Sequence, residues 1–391
     1  MTARATERVI LSLNSGSSSL KFGLYRVDAG STAPLLAGAA EWIDGLGGMF
    51  HARDQHGQPL SSEVAVKDVN DAIPCIRRLI DDAGLPLPEA IGHRIVHGGP
   101  HLLQHCMIDD DVLVKLDAAS AFAPLHAASA LSAIRLAQAN FAGLPQVACF
   151  DTAFHADMPD AARTLPIPKS FRANGLRRYG FHGLSCESIL HQLVDAVPRL
   201  LIICHLGNGA SVTAIENGRS IDTSMGLTPS GGVIMGTRSG DLDPGVILYL
   251  LREQQYDTAK LEYLIDHRSG LLGISGISGD MRRLHERSAT DVDARLAIEM
   301  FCNSVRKQIA GMMAVLGGVD TIVFTGGIGE NDVIVRGSVC VGLSWAGVQL
   351  DETHQQASNG VISTATSPIV VRVMPSQEDK QIARHAWRLA F

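Results

Sequence analysis

The chain has 391 residues, 46% hydrophobic and 19% charged, which is enough apolar material for two domain-sized cores and excludes a disordered chain. A formal net charge of -7 excludes a surface that is cationic overall, so neither nucleic acid nor a membrane is expected as partner, and an anionic substrate must be met by a few placed arginines and lysines. Seven scattered cysteines set mostly in apolar runs, and apolar stretches all far short of the ~18–20 residues of a membrane span, point to reduced thiols in a cytoplasmic protein.

The first element, residues 9–13 (VILSL), reads as a strand that breaks into NSGSSSLK at 14–21. Gly16 eases the turn, the serines and turn N–H groups supply donors, and Lys21 adds a movable positive charge, a combination suited to phosphate. None of the seven lysines follows a glycine, so the GxxxxGK[ST] phosphate loop is missing and a nucleotide enzyme would need another architecture. Residues 91–99 (IGHRIVHGG) place Arg94 in an alternating strand that ends on a glycine pair, and residues 118–142, rich in Ala and Leu, predict a helix. The apolar run 145–150 ends at Asp151, on the strand edge where α/β proteins bind ligands. Asp151 there either orients a nucleophile or metal-bound water, or caps a helix.

The Pro-rich stretch 165–169 is the expected neighbourhood of a domain junction. At 177–183 (RRYGFHG) His182 stands between glycines after an aromatic, a setting for close approach to a ligand or for a structural histidine. The pairs His182/Cys186 and Cys204/His205 invite a metal reading, but no second Cys/His pair with zinc-site spacing accompanies them. Residues 201–215 repeat the opening pattern of strand, glycine turn and alternating strand, which predicts a duplicated α/β domain. Arg238 lies in the glycine-bracketed loop 235–241, free to aim its planar fork at carboxylate or phosphate oxygens. A long helix is predicted over 291–316, closed by Gly317-Gly318, and the strand at 320–325 runs into GGIGEN at 326–331, where a backbone can approach a nucleotide. A final strand over 369–374 leads to Glu378, a carboxylate placed either for a hard cation or for a helix start.

Eight ordered segments, 14–21, 93–99, 151–155, 178–183, 205–209, 223–229, 235–241 and 326–331, together resemble the acetate kinase (acetokinase) family along nearly the whole chain. The resemblance implies two duplicated actin-like, ribonuclease H-like α/β domains, with nucleotide and substrate in a cleft between them. It places the domains at about 1–151 and 152–379, with the terminal helix 380–391 packing back on the first. It implies reversible transfer of the ATP γ-phosphoryl group to acetate, with Mg2+ or Mn2+ as cofactor, small-molecule partners only, and a homodimer.

By the same resemblance Arg94, Asp151, His182 and Arg238 would be catalytic, and Val96, Leu125, Phe181 and Pro229 would line the acyl pocket. Lys21, His205, Leu206, Gly207, Asn208, Gly209, Asp280, Met281, Arg282, Gly327, Ile328, Gly329, Glu330 and Asn331 would bind the nucleotide, and Asn14 and Glu378 the metal. The chain departs from the family pattern at Leu184, Cys186, Asp157, Ser230-Gly231 and Gln377, near His182 and the metal loop. A propionate or butyrate kinase remains the alternative within the family, and an ATPase switch of the Hsp70 or actin kind the alternative outside it. The latter has no need of the set Arg94, Asp151, His182 and Arg238.

Overall fold

The computed structural model describes residues 7–391 except 17–18, 44–46, 61–63, 123, 195, 352, 355 and 358, with the side chains at 43, 47, 64 and 124–127 also outside the description. The chain forms two compact units: Met1–Ala156 with Gly183–Ser188 and Gln377–Phe391, and Asp157–His182 with Ile189–Ser376. Against the break expected after residue 151, the first unit runs on to residue 156, takes back the segment 183–188, and includes the end of the chain from 377.

In the first unit the strands are β1 (Arg8–Ser15), β2 (Ser19–Val27), β3 (Thr32–Ile43), β4 (Gly47–Asp54), β5 (Val64–Val66), β6 (Ala90–Ile95), β7 (Cys106–Met107) and β8 (Gln146–Phe150). They form one sheet in the order β5-β4-β3-β2-β1-β6-β8-β7. In the second unit β9 (Leu200–Leu206), β10 (Ala210–Glu216), β11 (Arg219–Thr223), β12 (Thr321–Thr325), β13 (Gly360–Val361) and β14 (Val370–Val373) are ordered β11-β10-β9-β12-β14-β13. Both sheets share one design. An antiparallel meander, β1-β2-β3 or β9-β10-β11, is followed by two strands parallel to its first member, β6 and β8 or β12 and β14. The duplication read from the two strand-turn-strand segments is therefore present in the topology. Central strands such as β8 and β12 are buried at every residue, as continuous apolar runs require when both faces are covered.

Helix ends follow local chemistry. The helix Val292–Leu316 starts where the Asp291 carboxylate accepts from the N–H groups of Asp293 and Ala294, and stops at Gly317 with φ 70°. The helix predicted over 118–142 is Pro124–Asn140, with its first residues taken by the end of a separate helix, Asp110–Ala118, and by a 3-10 turn at Ala119–Phe122. Pro124 explains the later start, because proline suits a first helical turn.

The C-terminal helix Glu378–Ala390 packs through Ile382, Ala383 and Ala386 onto Ile10, Ala90, Val147, Cys149 and Leu184. Leu184, one of the departures from the family pattern, thus fills this apolar layer. Gly92 on β6 allows the close approach: a Cβ there would lie 2.6 Å from Ile382 Cγ2 and 3.1 Å from Ala386 Cβ.

A polar clamp fastens the same helix. Glu187 of the helix Gly183–Gln192 accepts from His385 Nε2 at 2.6 Å and from His105 Nε2 at 3.3 Å, and the two rings lie 3.9 Å apart. The three side chains bring ligand-type atoms within 4.8 Å of one another. The Phe150 N–H, however, donates to His105 Nδ1 at 3.0 Å, so His105 Nε2 carries the hydrogen that goes to Glu187 and has no lone pair for a metal. The two imidazoles outweigh the burial that would raise the Glu187 carboxyl, and bring it down to about 2.

Two outcomes follow from this packing. Gly92→Ala should lower the stability of the first unit by roughly 1–3 kcal/mol through overpacking against Ile382, measured by denaturant unfolding. Glu187→Gln should cost about 2–3 kcal/mol at neutral pH. Because the folded carboxyl is depressed, the gap between wild type and variant should persist above the ordinary carboxylate range and close as pH falls toward about 2, which unfolding curves at a series of pH values would read.

Candidate active site

The parallel strands of the first unit end at one edge, and three functional side chains leave from it. Asn14 lies near the end of β1, Arg94 near the end of β6, and Asp151 directly after β8, where its N–H donates to the carbonyl of Ile95. Arg94 directs both Nε (2.9 Å) and Nη2 (2.5 Å) to Asp151 Oδ2, and Nη1 to Asn14 Oδ1 at 3.3 Å. Asn14 Nδ2 in turn donates to Asp379 Oδ1 at 3.0 Å and to Glu378 Oε2 at 3.3 Å. Burial works to lower the Arg94 pKa, but the field of Asp151, Glu378 and Asp379 raises it overall. Burial pushes the Asp151 and Asp379 carboxyls up, opposed at Asp151 by Arg94 and at Asp379 by the Asn14 hydrogen bond and by Lys21.

Because both nitrogens of Arg94 converge on Oδ2, Asp151 Oδ1 is buried without a hydrogen-bond partner among the described residues. An orphaned carboxylate oxygen beside two further carboxylates is a hard-oxygen, net-negative set that fits a divalent cation such as Mg2+.

In the second unit His182 takes the left-handed conformation (φ 57°), stacks on His205 at 4.2 Å, and places Nδ1 3.0 Å from Ser211 Oγ. Arg238 Nη1 donates to the Pro229 carbonyl at 3.2 Å. Gly209 keeps space for both donors: a Cβ there would lie 3.2 Å from His182 Nε2 and 3.5 Å from Arg238 Nη1. Two nitrogen donors converging on a bare backbone suit an anionic group.

A cavity of about 890 Å3 opens nearby in the same unit, between the turn after β9 (Gly207, Asn208), the loop at 279–282 and the turn after β12 (Gly327, Ile328, Asn331). That is the size of a nucleotide site. Its wall includes His285, whose Nε2 bonds Asp332 Oδ2 at 2.8 Å.

Of the residues expected at a nucleotide, Gly207, Asn208, Asp280, Met281, Arg282, Gly327, Ile328 and Asn331 line this cavity. His205 and Gly209 stand at the His182 centre. Leu206 is fully buried in the core and Gly329 is buried in the turn helix. Glu330 is occupied structurally, accepting from the N–H groups of Gly326 and Ser376, each at 2.9 Å. Lys21 pairs with Asn14 across β1 and β2 in the first unit, and its side chain is exposed. Ser17 and Ser18 of its turn, and the side chain of Leu125, lie outside the described residues. Val96 is buried in the first unit, Phe181 and Pro229 in the second.

Asp379, Ser211, His285 and Asp332 had not been singled out. Asp379 adjoins Glu378 at a helix start, where acidic residues are ordinary, and Ser211 reads as one more strand residue.

Comparison with known proteins agrees with this geometry. The acetokinase family model matches residues 9–384. Acetate kinase of Campylobacter lari is 40% identical over 388 residues, spanning 96% of this chain and 97% of the relative, and that of Caldicellulosiruptor saccharolyticus is 40% identical over 398 residues, spanning 97% and 99%. Among solved structures, a propionate kinase from Francisella tularensis superposes with TM-score 0.91 at 35% identity over 98% of this chain and all of that one. Porphyromonas gingivalis acetate kinase gives 0.86 at 33% identity over 98% and 99%. With family model, relatives and fold in agreement over nearly its full length, the chain belongs to the acetokinase family.

Proposed function

We propose that the protein is a Mg2+-dependent acetate kinase, transferring the γ-phosphoryl group of ATP to acetate to give acetyl phosphate and ADP, and running in both directions. An acetate oxygen forms the new bond to γ-phosphorus while the bond from γ-phosphorus to the β–γ bridging oxygen breaks, and ADP leaves with that electron pair. The observation that carries this reading is that the donors are cationic or neutral N–H groups, Arg94 in one unit and Arg238 with His182 in the other, on a kinase fold. A carboxylate nucleophile is already ionised at neutral pH, so positioning and charge stabilisation suffice and no strong base is required.

In this reading Arg94 grips the acetate carboxylate, and Asp151 fixes the Arg94 fork through Oδ2. Arg238 and His182 meet the equatorial oxygens of the phosphoryl group in transfer. Val96, Phe181 and Pro229, with Leu125, enclose the acyl methyl. Adenosine diphosphate occupies the cavity beside Asn208, Asp280 and Ile328. Asp151 Oδ1, Glu378, Asp379 and Asn14 would hold the cation, which would supply positive charge to neutralise the phosphate oxygens.

The helix Pro244–Glu253 buries none of its residues and exposes Val246, Leu248, Tyr249 and Leu251, which supports a second copy of the chain covering it in a homodimer. Among the described residues no disulfide joins the seven cysteines, in keeping with work in the cytoplasm. Propionate is the second reading, favoured by the likeness to the Francisella enzyme, and one methylene in an apolar pocket separates it from acetate by only ~1–3 kcal/mol.

The function is tested by ADP release from Mg2+-ATP with acetate or propionate, trapping acyl phosphate as hydroxamate. Acetate-dependent ADP with hydroxamate is expected; a larger kcat/KM for propionate would reassign the substrate, and ADP release equal without carboxylate would overturn the kinase reading. Arg238→Ala should lower kcat by roughly 10³-fold or more while nucleotide affinity stays within a few fold. Asp379→Asn should raise the Mg2+ concentration for half-maximal activity by about 10-fold or more, and an unchanged Mg2+ dependence would remove Asp379 from the metal set.

A further inference from the structure

The Ser211 hydroxyl lies 3.0 Å from His182 Nδ1, and both side chains are buried, Ser211 1% and His182 8% exposed. Ser211 sits on β10, its backbone paired with His205 of β9, whose ring stacks on His182 at 4.2 Å. The histidine is thus held between a ring and a hydroxyl carried on two paired strands. A buried hydroxyl must place its hydrogen on an acceptor, and Ser211 Oγ has no other side-chain or carbonyl partner among the described residues. The O–H therefore donates to Nδ1. A neutral imidazole whose Nδ1 accepts carries its one hydrogen on Nε2. Nε2 is the atom that faces the Gly209 backbone beside Arg238 Nη1.

We infer that Ser211 is a positioning residue for the reaction: it holds His182 in the Nε2–H tautomer, so that the neutral ring donates to the transferring phosphoryl group. This rests on the reading in which His182 faces that group. Arg238 Nη1 already brings a cation to Gly209, so the part left to His182 is a directed N–H at the same place. Without the hydroxyl, the neutral ring would divide between two tautomers, and the one with a lone pair on Nε2 would face phosphoryl oxygens unfavourably. Protonation would then restore the donor, since an imidazolium carries hydrogen on both nitrogens.

The test is the pH dependence of kcat in Ser211→Ala, with Ser211→Thr and His182→Ala beside it. Ser211→Ala should lose about tenfold in kcat near pH 8, with the loss shrinking below the ordinary imidazole range near 6.5, while KM for ATP and acetate stays within about twofold. Ser211→Thr, which keeps the hydroxyl, should recover most of the rate. In a His182→Ala background the Ser211→Ala change should cost nothing further. A loss equal at pH 6 and pH 8, a loss that persists in the His182→Ala background, or no loss at all would overturn the tautomer role while leaving His182 in place. Wild-type turnover in His182→Ala alone would instead overturn the reading of His182 on which the inference stands.

Discussion

The Arg94 guanidinium sits in the field of three carboxylates, Asp151, Glu378 and Asp379, and the construction of the first unit follows from the need to bring them to one place. Like charges do not gather in a partly dry edge unless something compensates them. Arg94 and the bridging amide of Asn14 do so in part, with Asn14 accepting from the cation and donating to two of the anions. The remaining excess of negative charge, and the bare Oδ1 of Asp151, make the edge receptive to a cation. Parallel pairing of β1, β6 and β8 supplies the geometry, because strands that run the same way end on the same side.

The second unit uses the same strand order for different chemistry. The ends of β9 and β12 carry small residues and donors in place of carboxylates: Gly207 to Gly209 after one, Gly326 and Gly327 after the other. Bare backbone leaves room for a polyphosphate, and His182 and Arg238 stand over it. A single duplicated topology thus carries a carboxylate-rich edge in one unit and a glycine-rich edge with nitrogen donors in the other.

Much of this was legible in the sequence, for reasons that differ between elements. The long helix Val292–Leu316 declared both ends, since Asp291 and Gly317 are chemically suited to their caps. The glycine turns were visible because their strands are apolar on both faces. The start of the helix at Pro124 was hidden inside a run of good helix formers. The Glu187 clamp was beyond reach: its partners lie 82 and 198 residues away, and nothing local marks a carboxylate that will meet two imidazoles. Glu330 has both a local pattern and distant partners. It stands in a nucleotide-type motif, and one oxygen of its carboxylate accepts from the N–H groups of Gly326 and Ser376 and so closes the turn that shapes the motif. Site residues bound to a local pattern could be read; those defined by folding partners could not.

The hydrogen bond between Asn14 and Asp379 joins positions 365 residues apart. During translation at roughly 5–20 residues per second, on the order of 20–70 s separates the appearance of the two. Until the end of that interval β1 and its neighbours have no helix Glu378–Ala390 to cover them, and by then the contiguous stretch Ile189–Ser376 of the second unit has been made. The first-synthesised unit is therefore the last to receive all its residues, and Glu378 and Asp379 reach Asn14 only after every residue that lines the cavity of the second unit has been made.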